Sequence, residues 1–374
     1  MDKYLHIVCF DVPYPPDYGG VIDVFYKIKA LHNEGVKIHL HCFEYGRGKQ
    51  SELNEFCEEV IYYKRNLGLR YVSTGLPYIV GSRANEYLLK NLLKNDYPVL
   101  MEGIHCTNFL FKDQLPNRKI FVRLHNVEFE YYDQLAKNES SLFKKIYFKN
   151  ESRLLKKYEK KIAGKAMLLS ISKKDVEVYK KYFYADNIQY LPPFIFYDKV
   201  NSTEGKGNYC LYHGNLSVNE NEKAALWLLK NIFTDNIPFV IAGKNPSEKL
   251  IRLTEENKYV SVVADPSEEK IKELISNAQI NVLPSFNVTG IKLKLLNALF
   301  NGRHCIANKE AVEGTGLETY CHIASDSTAF KTLISTLLEK NFMKEEINKR
   351  RQLLEEKFNN EINAKQLMKW IWDD

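Results

Sequence analysis

Two hydrophobic rhythms alternate along the chain. Short apolar runs, too brief for helices, are followed by longer stretches in which apolar positions return every three or four residues. In the first half the runs are YLHIVCF, KIHLHCF, VIYYK, PVLMEG, IFVRL and MLLSIS; in the second they are YCLYHG, PFVIAG, VSVVAD, INVLPS, HCIA and HIASD. Each reads as a buried strand. Between them the helical period predicts a helix from about Val21 to Glu34 that Gly35 ends, and one from Lys173 with Ser172 as its cap. Further helices are predicted over NENEKAALWLLKNI, 247–256, IKELISNA, a stretch stopped by Asn301 and Gly302, and Ser327–Lys340, with two more ending in LMKWIWDD.

Strands alternating with helices predict an α/β chain built from parallel, doubly wound sheets. The pattern runs once and then restarts. IQYLPPF and DKVNSTEGKGN read as a linker, because prolines cannot continue a ladder and glycines loosen the backbone beyond them. The expected division is a first Rossmann-like domain over 1–195 and a second over 206–345. The helices of 346–374 are expected to cross back to the first domain, with Trp370 and Trp372 packing against it.

The chemistry-bearing residues gather just past strand ends. PSFNVTGIKLKLLNALFNG is a strand, a turn and a helix start, with Gly290 and Lys294 on one helical face together with Asn297, Ala298 and Asn301. A helix N-terminus offers unpaired N–H groups and partial positive charge, glycine admits an anion to the backbone, and lysine adds a full charge. A phosphate pocket and an ordinary surface lysine both satisfy this stretch. The loop YPPDYGG places Gly19 and Gly20 at a second helix start, without the GxGxxG spacing of a dinucleotide fingerprint. PVLMEG ends at Glu102, and IFVRLHNVE sets Arg123, His125, Asn126 and Glu128 at or past another strand end. For Glu102 and Arg123 a structural ion pair and ligand binding stay open, and His105 has no spaced partner. His39 and His41, at i, i+2 spacing, need a third ligand to hold a metal.

Composition narrows the classes. A chain of 374 residues, 45% hydrophobic and 27% charged, is ordinary for a globular protein of about two domains. The net charge of +6 suits phosphate-bearing or membrane-surface partners, while basic residues do not interleave with aromatics as a nucleic-acid platform requires. Seven cysteines without CxxC spacing argue against a disulfide framework and a zinc site, and favour a reducing cytoplasm. The short apolar core of MDKYLHIVCF reads as a strand rather than a signal sequence, and no apolar run is long enough to span a bilayer. The lysine-rich pattern over 144–165, with Ile146, Tyr147, Leu154, Leu155, Tyr158 and Ile162 on its apolar side, fits either a solvated helix packed on its domain or one lying against anionic lipid.

Taken in order, YPPDYGG, HNVEFEYY, SISKKD, YHGNLSVNENEKAA, FVIAGKNP, TGIKLKLLNALFNG and AVEG resemble the segments of the GT-B fold glycosyltransferases, most closely the retaining, sugar-nucleotide-dependent group. The resemblance implies two Rossmann-like domains facing each other across a cleft. It implies a UDP- or GDP-sugar donor in the second domain, a saccharide or lipid-linked saccharide acceptor on the first, and no cofactor, metal or nucleic acid. Carried over by position, Lys294, Lys292, Gly290 and Ile291 would bind the donor diphosphate, with Gly19 and Gly20 facing it. Gly214 and Asn215 would line the donor pocket, and Asn297 would meet the ribose. His125 would stand beside the reacting sugar. Glu102, Arg123, Asn126 and Glu128 would be acceptor contacts. The implied setting is surface polysaccharide assembly in the cytoplasm, at the inner face of the membrane.

No Asp-x-Asp sequence occurs, and the chemistry asks for none, since lysine and helix N–H groups can stabilise a departing diphosphate. In the retaining reaction the departing phosphate helps take the acceptor proton. One departure stands out: the family often carries two glutamates eight positions apart, where this chain has Thr289 and Asn297. Asparagine accepts from ribose hydroxyls more weakly than a carboxylate does. That difference keeps a non-catalytic sugar-nucleotide or glycan-binding protein as an alternative; a nucleotide-sugar epimerase of the same fold, which would need carboxylate acid/base residues in the cleft, is the nearest enzyme rival, and a nicotinamide oxidoreductase is disfavoured.

Overall fold

In the computed structural model, the described residues are 2–68, 75–234, 236–286 and 292–373. They form two compact units, one running to Phe196 and taking in the chain again from Phe358, the other spanning Tyr197–Lys357.

The first unit is built on a seven-stranded sheet of β1 (Lys3–Cys9), β2 (Val36–Glu44), β3 (Glu59–Lys64), β4 (Val99–Glu102), β5 (Ile120–Leu124), β6 (Met167–Ser170) and β7 (Ile188–Tyr190). All neighbours pair parallel in the order β3-β2-β1-β4-β5-β6-β7. β4 and β5 are buried along their whole length, which is why they read as unbroken apolar runs. Alternate residues feed two cores: Val8, Met101 and Val122 enter one, and Ile7, Leu100 and Phe121 the other. Strand order reverses between β1 and β4, so the crevice past their carboxyl ends lies at Phe10–Asp11 and Gly103.

The helix Gly19–Asn33 leaves that crevice, and Gly35, at φ +82°, ends it by donating its N–H to the His32 carbonyl. Helix Asn360–Trp372 packs on it, adding Ala364, Leu367 and Ile371 to the core that holds Val24, Ile28 and Leu31. Trp370 and Trp372 lie against the same core. Lys3 sets its ammonium 5.4 Å from the Trp372 ring centre.

The second unit repeats the plan with β8 (Cys210–His213), β9 (Phe239–Gly243), β10 (Val260–Ala264), β11 (Ile280–Val282), β12 (His304–Ala307) and β13 (His322–Ile323), in the order β10-β9-β8-β11-β12-β13. Pairing is again parallel, and the order reverses between β8 and β11. Two expectations change. IQY is a seventh strand rather than linker: at the sheet edge it needs one ladder only, Ile188 is buried, and Pro192 and Pro193 stop it. Of 346–374, the part within helix Lys344–Lys357 belongs to the second unit, held by Arg350, whose guanidinium donates to the carbonyls of Leu299, Gly302 and Arg303. Only the last helix joins the first unit.

Candidate functional site

In the first unit the crevice is floored by a buried charge network. Asp23 and Lys27 sit four apart on the inward face of helix Gly19–Asn33, with a 2.9 Å ion pair between them. Lys27 Nζ also lies 2.8 Å from Glu102 Oε1 at the end of β4. Arg123, on β5, donates Nη2 to Asp23 Oδ1 at 2.9 Å and Nε to Oδ2 at 3.1 Å. Its remaining donors reach the Leu191 and Pro192 carbonyls at 2.6 and 3.0 Å. Two acids and two bases balance, and all four are buried. Burial alone would raise the Asp23 carboxyl, but Arg123 and then Lys27 hold it far below the ordinary carboxylate range. Glu102 is lowered for the same reason, against burial, by Lys27 and the His125 hydrogen bond.

On this floor stands His125. Its Nε2–H donates to Glu102 Oε2 at 3.0 Å, and its ring meets Phe10 edge-on at 5.4 Å between centres. Asp23 Oδ2 is 4.0 Å from its Nδ1. A histidine held by a carboxylate is fixed in tautomer and orientation. Asp23, Glu102 and His125 also bring three metal-competent atoms together. Lys27 and Arg123 already neutralise the two carboxylates, so a divalent ion would meet no net negative charge there.

The neighbouring loops are pinned. Asp11 accepts from the Val12 N–H and the Tyr18 hydroxyl, each at 2.8 Å, tying the β1 end to the helix start. Tyr18 occupies the cap position without a side-chain bond to the helix, so the N-terminal amides at Gly19 and Gly20 have no side-chain cap. A Cβ on Gly20 would come within 2.7 Å of the Phe10 ring, so glycine is what lets that ring sit beneath the helix start. Glu128 is buried, its carboxyl pushed up to about 7 by burial against an opposing Asn126 hydrogen bond. Glu159 reaches back from the helix Leu142–Ile162 to accept the N–H groups of Glu128 and Phe129 at 2.9 and 3.0 Å.

The structure therefore brings Glu102, Arg123 and His125 together. It corrects the reading of Arg123 and Glu102 as direct acceptor contacts, since both are inside. Glu128 is inside as well, while His125 and Asn126 keep partial exposure. Asp23 and Lys27 went unread in the sequence, although two opposite charges at i, i+4 on an otherwise apolar helix face were the signal for them. His6, His39 and His41 hold no metal geometry. His6 and His41 share a ring hydrogen bond of 2.9 Å, continued to Asn95 and Tyr63, and His39 faces Glu59. His105 is half-buried, its ring packed against Phe10.

In the second unit the carboxyl end of the sheet is organised by Lys294, in the first turn of helix Leu293–Asn301. Its Nζ donates to the Tyr212 hydroxyl and to Asn221 Oδ1, both at 3.1 Å, and lies 4.8 Å from the Tyr212 ring centre. Tyr212 in turn donates to the Asn221 carbonyl at 2.8 Å. Burial pulls the Lys294 ammonium down to about 7, and Lys292 at the cap position adds to the fall. His213, buried at the end of β8, is lowered to about 3 by burial and Lys294, and its Nε2 has no hydrogen-bond partner.

Gly214 and Asn215 follow β8 directly. Asn221 donates Nδ2 to the Asn215 carbonyl at 2.9 Å, so the β8 loop and Lys294 are joined through one asparagine. Gly243 packs so tightly that a Cβ would lie 1.8 Å from the Gly214 carbonyl oxygen, which sets the height of the β8 loop. Asn297 has its Oδ1 accepting from Asn301 Nδ2 at 2.9 Å, so the oxygen expected to meet a ribose is already engaged within the helix. Gly290 and Ile291, with Thr289, lie outside the described residues. Tyr212, His213 and Asn221 were missing from the sequence reading because only the fold brings β8 and the helix Asn219–Asn231 to Lys294.

Residues 207–340 match the family model described as glycosyl transferases group 1. Over 333 residues the chain is 29% identical to an uncharacterized 44.6 kDa protein in the cps region of Klebsiella pneumoniae, covering 83% of this chain and 84% of that one. Among solved structures it is similar to WaaG, a glycosyltransferase involved in lipopolysaccharide biosynthesis, with 13% identity, full coverage of both chains and a TM-score of 0.66. It is similar to Anabaena Alr3699/HepE in complex with UDP and glucose, at 10% identity, 99% coverage of each chain and a TM-score of 0.66. The lipopolysaccharide outer core galactosyltransferase WaaB matches at 16% identity, 98% of this chain and 100% of that one, with a TM-score of 0.66. The chain has the GT-B fold, and the match to the group 1 glycosyl transferase model lies within its second unit.

Proposed function

We propose that this chain is a glycosyltransferase that moves a sugar from a nucleoside diphosphate donor to a saccharide or lipid-linked saccharide. Lys294 carries the reading. Its ammonium is sunk beside the β8 loop, at the point where strand order reverses in the unit that matches the group 1 family model. An ammonium drawn down to about 7 gains most from an arriving diphosphate, which restores its charge. Lys292 and the start of helix Leu293–Asn301 add positive potential, and together they stabilise charge growing on the departing phosphate. With the acceptor proton passing to that phosphate, a retaining front-face transfer needs no separate carboxylate base. In this reading Gly214 and Asn215 line the donor pocket, the Gly19–Gly20 amides favour the diphosphate, and His125, steered by Glu102, hydrogen-bonds the reacting sugar or its acceptor.

The similarity to a cps-region protein and to lipopolysaccharide glycosyltransferases supports surface polysaccharide assembly as the setting. A UDP complex among the similar structures supports a UDP-sugar, with a GDP-sugar as the other donor to try. Among the described residues no helix is long and apolar enough to cross a membrane. Leu142, Phe143 and Ile146, at the start of helix Leu142–Ile162, are 68%, 88% and 60% exposed beside Lys144 and Lys145. Apolar residues this open among lysines suit docking on anionic lipid at the inner membrane face, where a lipid-linked acceptor would be found.

A thermal-shift panel of UDP, GDP, ADP, CMP and their sugars tests donor binding, since a bound nucleotide stabilises as RT ln(1 + [L]/Kd). A nucleotide-sugar epimerase of the same fold is the second reading, and it would need carboxylate acid and base groups at the sugar. Incubation with donor alone separates the two, because an epimerase changes the sugar without acceptor.

A further inference from the structure

The amino ends of β12 and β13 carry a cluster that the transfer reaction does not use. His304 opens β12, His322 opens β13, and Glu346 approaches from helix Lys344–Lys357. One ligand atom from each lies within 4.8 Å of the others. The strands run parallel, so this cluster sits at the opposite end of the sheet from Gly214 and Lys294.

The His304 side chain is fully buried, and its Nε2 lies 3.2 Å from the Lys340 carbonyl oxygen. A carbonyl only accepts, so Nε2 carries the proton and Nδ1 presents its lone pair. That Nδ1 is buried without a hydrogen-bond partner, and it faces Glu346 Oε1 at 3.9 Å. A lone pair turned toward a carboxylate oxygen is unfavourable unless a cation lies between them. His322 has its ring centre 5.6 Å from that of His304. An imidazole that donates one N–H to a backbone carbonyl and turns the other nitrogen inward has the arrangement that metal-bound histidines show.

We propose that His304 Nδ1, His322 and Glu346 form a binding site for a divalent transition metal, Zn²⁺ being the best match to two imidazoles and a carboxylate. Tetrahedral bond lengths of about 2.0–2.2 Å require the three atoms to draw in to roughly 3.5 Å apart, with water as the fourth ligand. Lys340 Nζ, 4.0 Å from Glu346 Oε1 and half exposed, can swing clear. Arg350 is engaged by backbone carbonyls and stays in place. The metal would brace the two-residue edge strand β13 and helix Lys344–Lys357 against β12.

The test uses the full chain stripped with chelator, titrated calorimetrically with Zn²⁺ and by absorbance with Co²⁺. One equivalent should bind, Co²⁺ should give a tetrahedral d–d band, and Zn²⁺ should raise Tm. His322→Ala and Glu346→Gln should each weaken binding by about tenfold or more and abolish the Tm rise. Both residues are only partly buried, so these variants are better suited to folding than His304→Ala. Absence of Zn²⁺ binding in the folded wild-type chain overturns the site, as does binding unchanged in both variants. Neither outcome bears on glycosyl transfer, which is assayed separately on the same samples.

Discussion

His125 Nε2 lies 3.0 Å from Glu102 Oε2, and Glu102 is itself held by Lys27, so the histidine's orientation is set by a charge network rooted in the helix Gly19–Asn33. His125→Ala should lower turnover about 100- to 10,000-fold while donor affinity changes little. Steady-state kinetics with donor titration checks this. A loss confined to donor affinity would remove His125 from the sugar.

Glu102→Gln should keep a hydrogen bond to His125 while leaving Lys27 with one partner less. The expected result is a reduced kcat with an altered pH–rate profile, at unchanged donor KM. A purely structural role would lower Tm and leave the profile of the surviving enzyme unmoved.

Arg123→Ala leaves Asp23 buried with Lys27 as its remaining ion-pair partner, and should cost about 3–5 kcal/mol in denaturant unfolding. The depressed Asp23 and Glu102 carboxyls also fix the sign of a pH effect. Their stabilisation is present above the unfolded carboxylate range of about 4 and is lost as pH falls below it. Urea midpoints of the wild-type chain should therefore drop on acidification, and Asp23→Asn should show a shallower drop.

Lys294 gives the opposite pH window. With the free ammonium near 7 and the diphosphate-bound one raised, nucleotide affinity should be strongest at or below pH 7 and weaken as pH rises toward about 9. Lys294→Arg, always charged, should flatten that dependence. Calorimetry across this range reads both.

Phe143→Asp with Ile146→Asp should release the chain from anionic vesicles and leave transfer to a water-soluble acceptor intact. Flotation with neutral and anionic vesicles checks it. Equal binding by the double variant would place lipid contact elsewhere.

Much of the fold was legible because parallel strands buried on both faces leave unbroken apolar runs, as at β1, β4 and β5. β7 was not, since an edge strand of three residues beside prolines carries the composition of a linker. His125 and Lys294 stood out as chemistry-bearing side chains past strand ends. Their partners did not, because Asp23, Lys27, Tyr212 and Asn221 become neighbours only through the sheet topology. Arg123 shows the limit of position as a guide: a charged residue near a strand end can face inward and serve the floor of a site. Asn297 shows another, for its hydrogen bond to Asn301 decides which of its atoms stays available.

The transfer reading is tested most directly by incubating the full chain with a panel of UDP- and GDP-sugars and measuring nucleoside diphosphate release, with and without saccharide acceptors. One sugar nucleotide should be turned over, slowly to water and faster with acceptor, and Lys294→Ala should reduce the rate about 100- to 1,000-fold while remaining folded. No release from any donor, or equal release by Lys294→Ala, would contradict it.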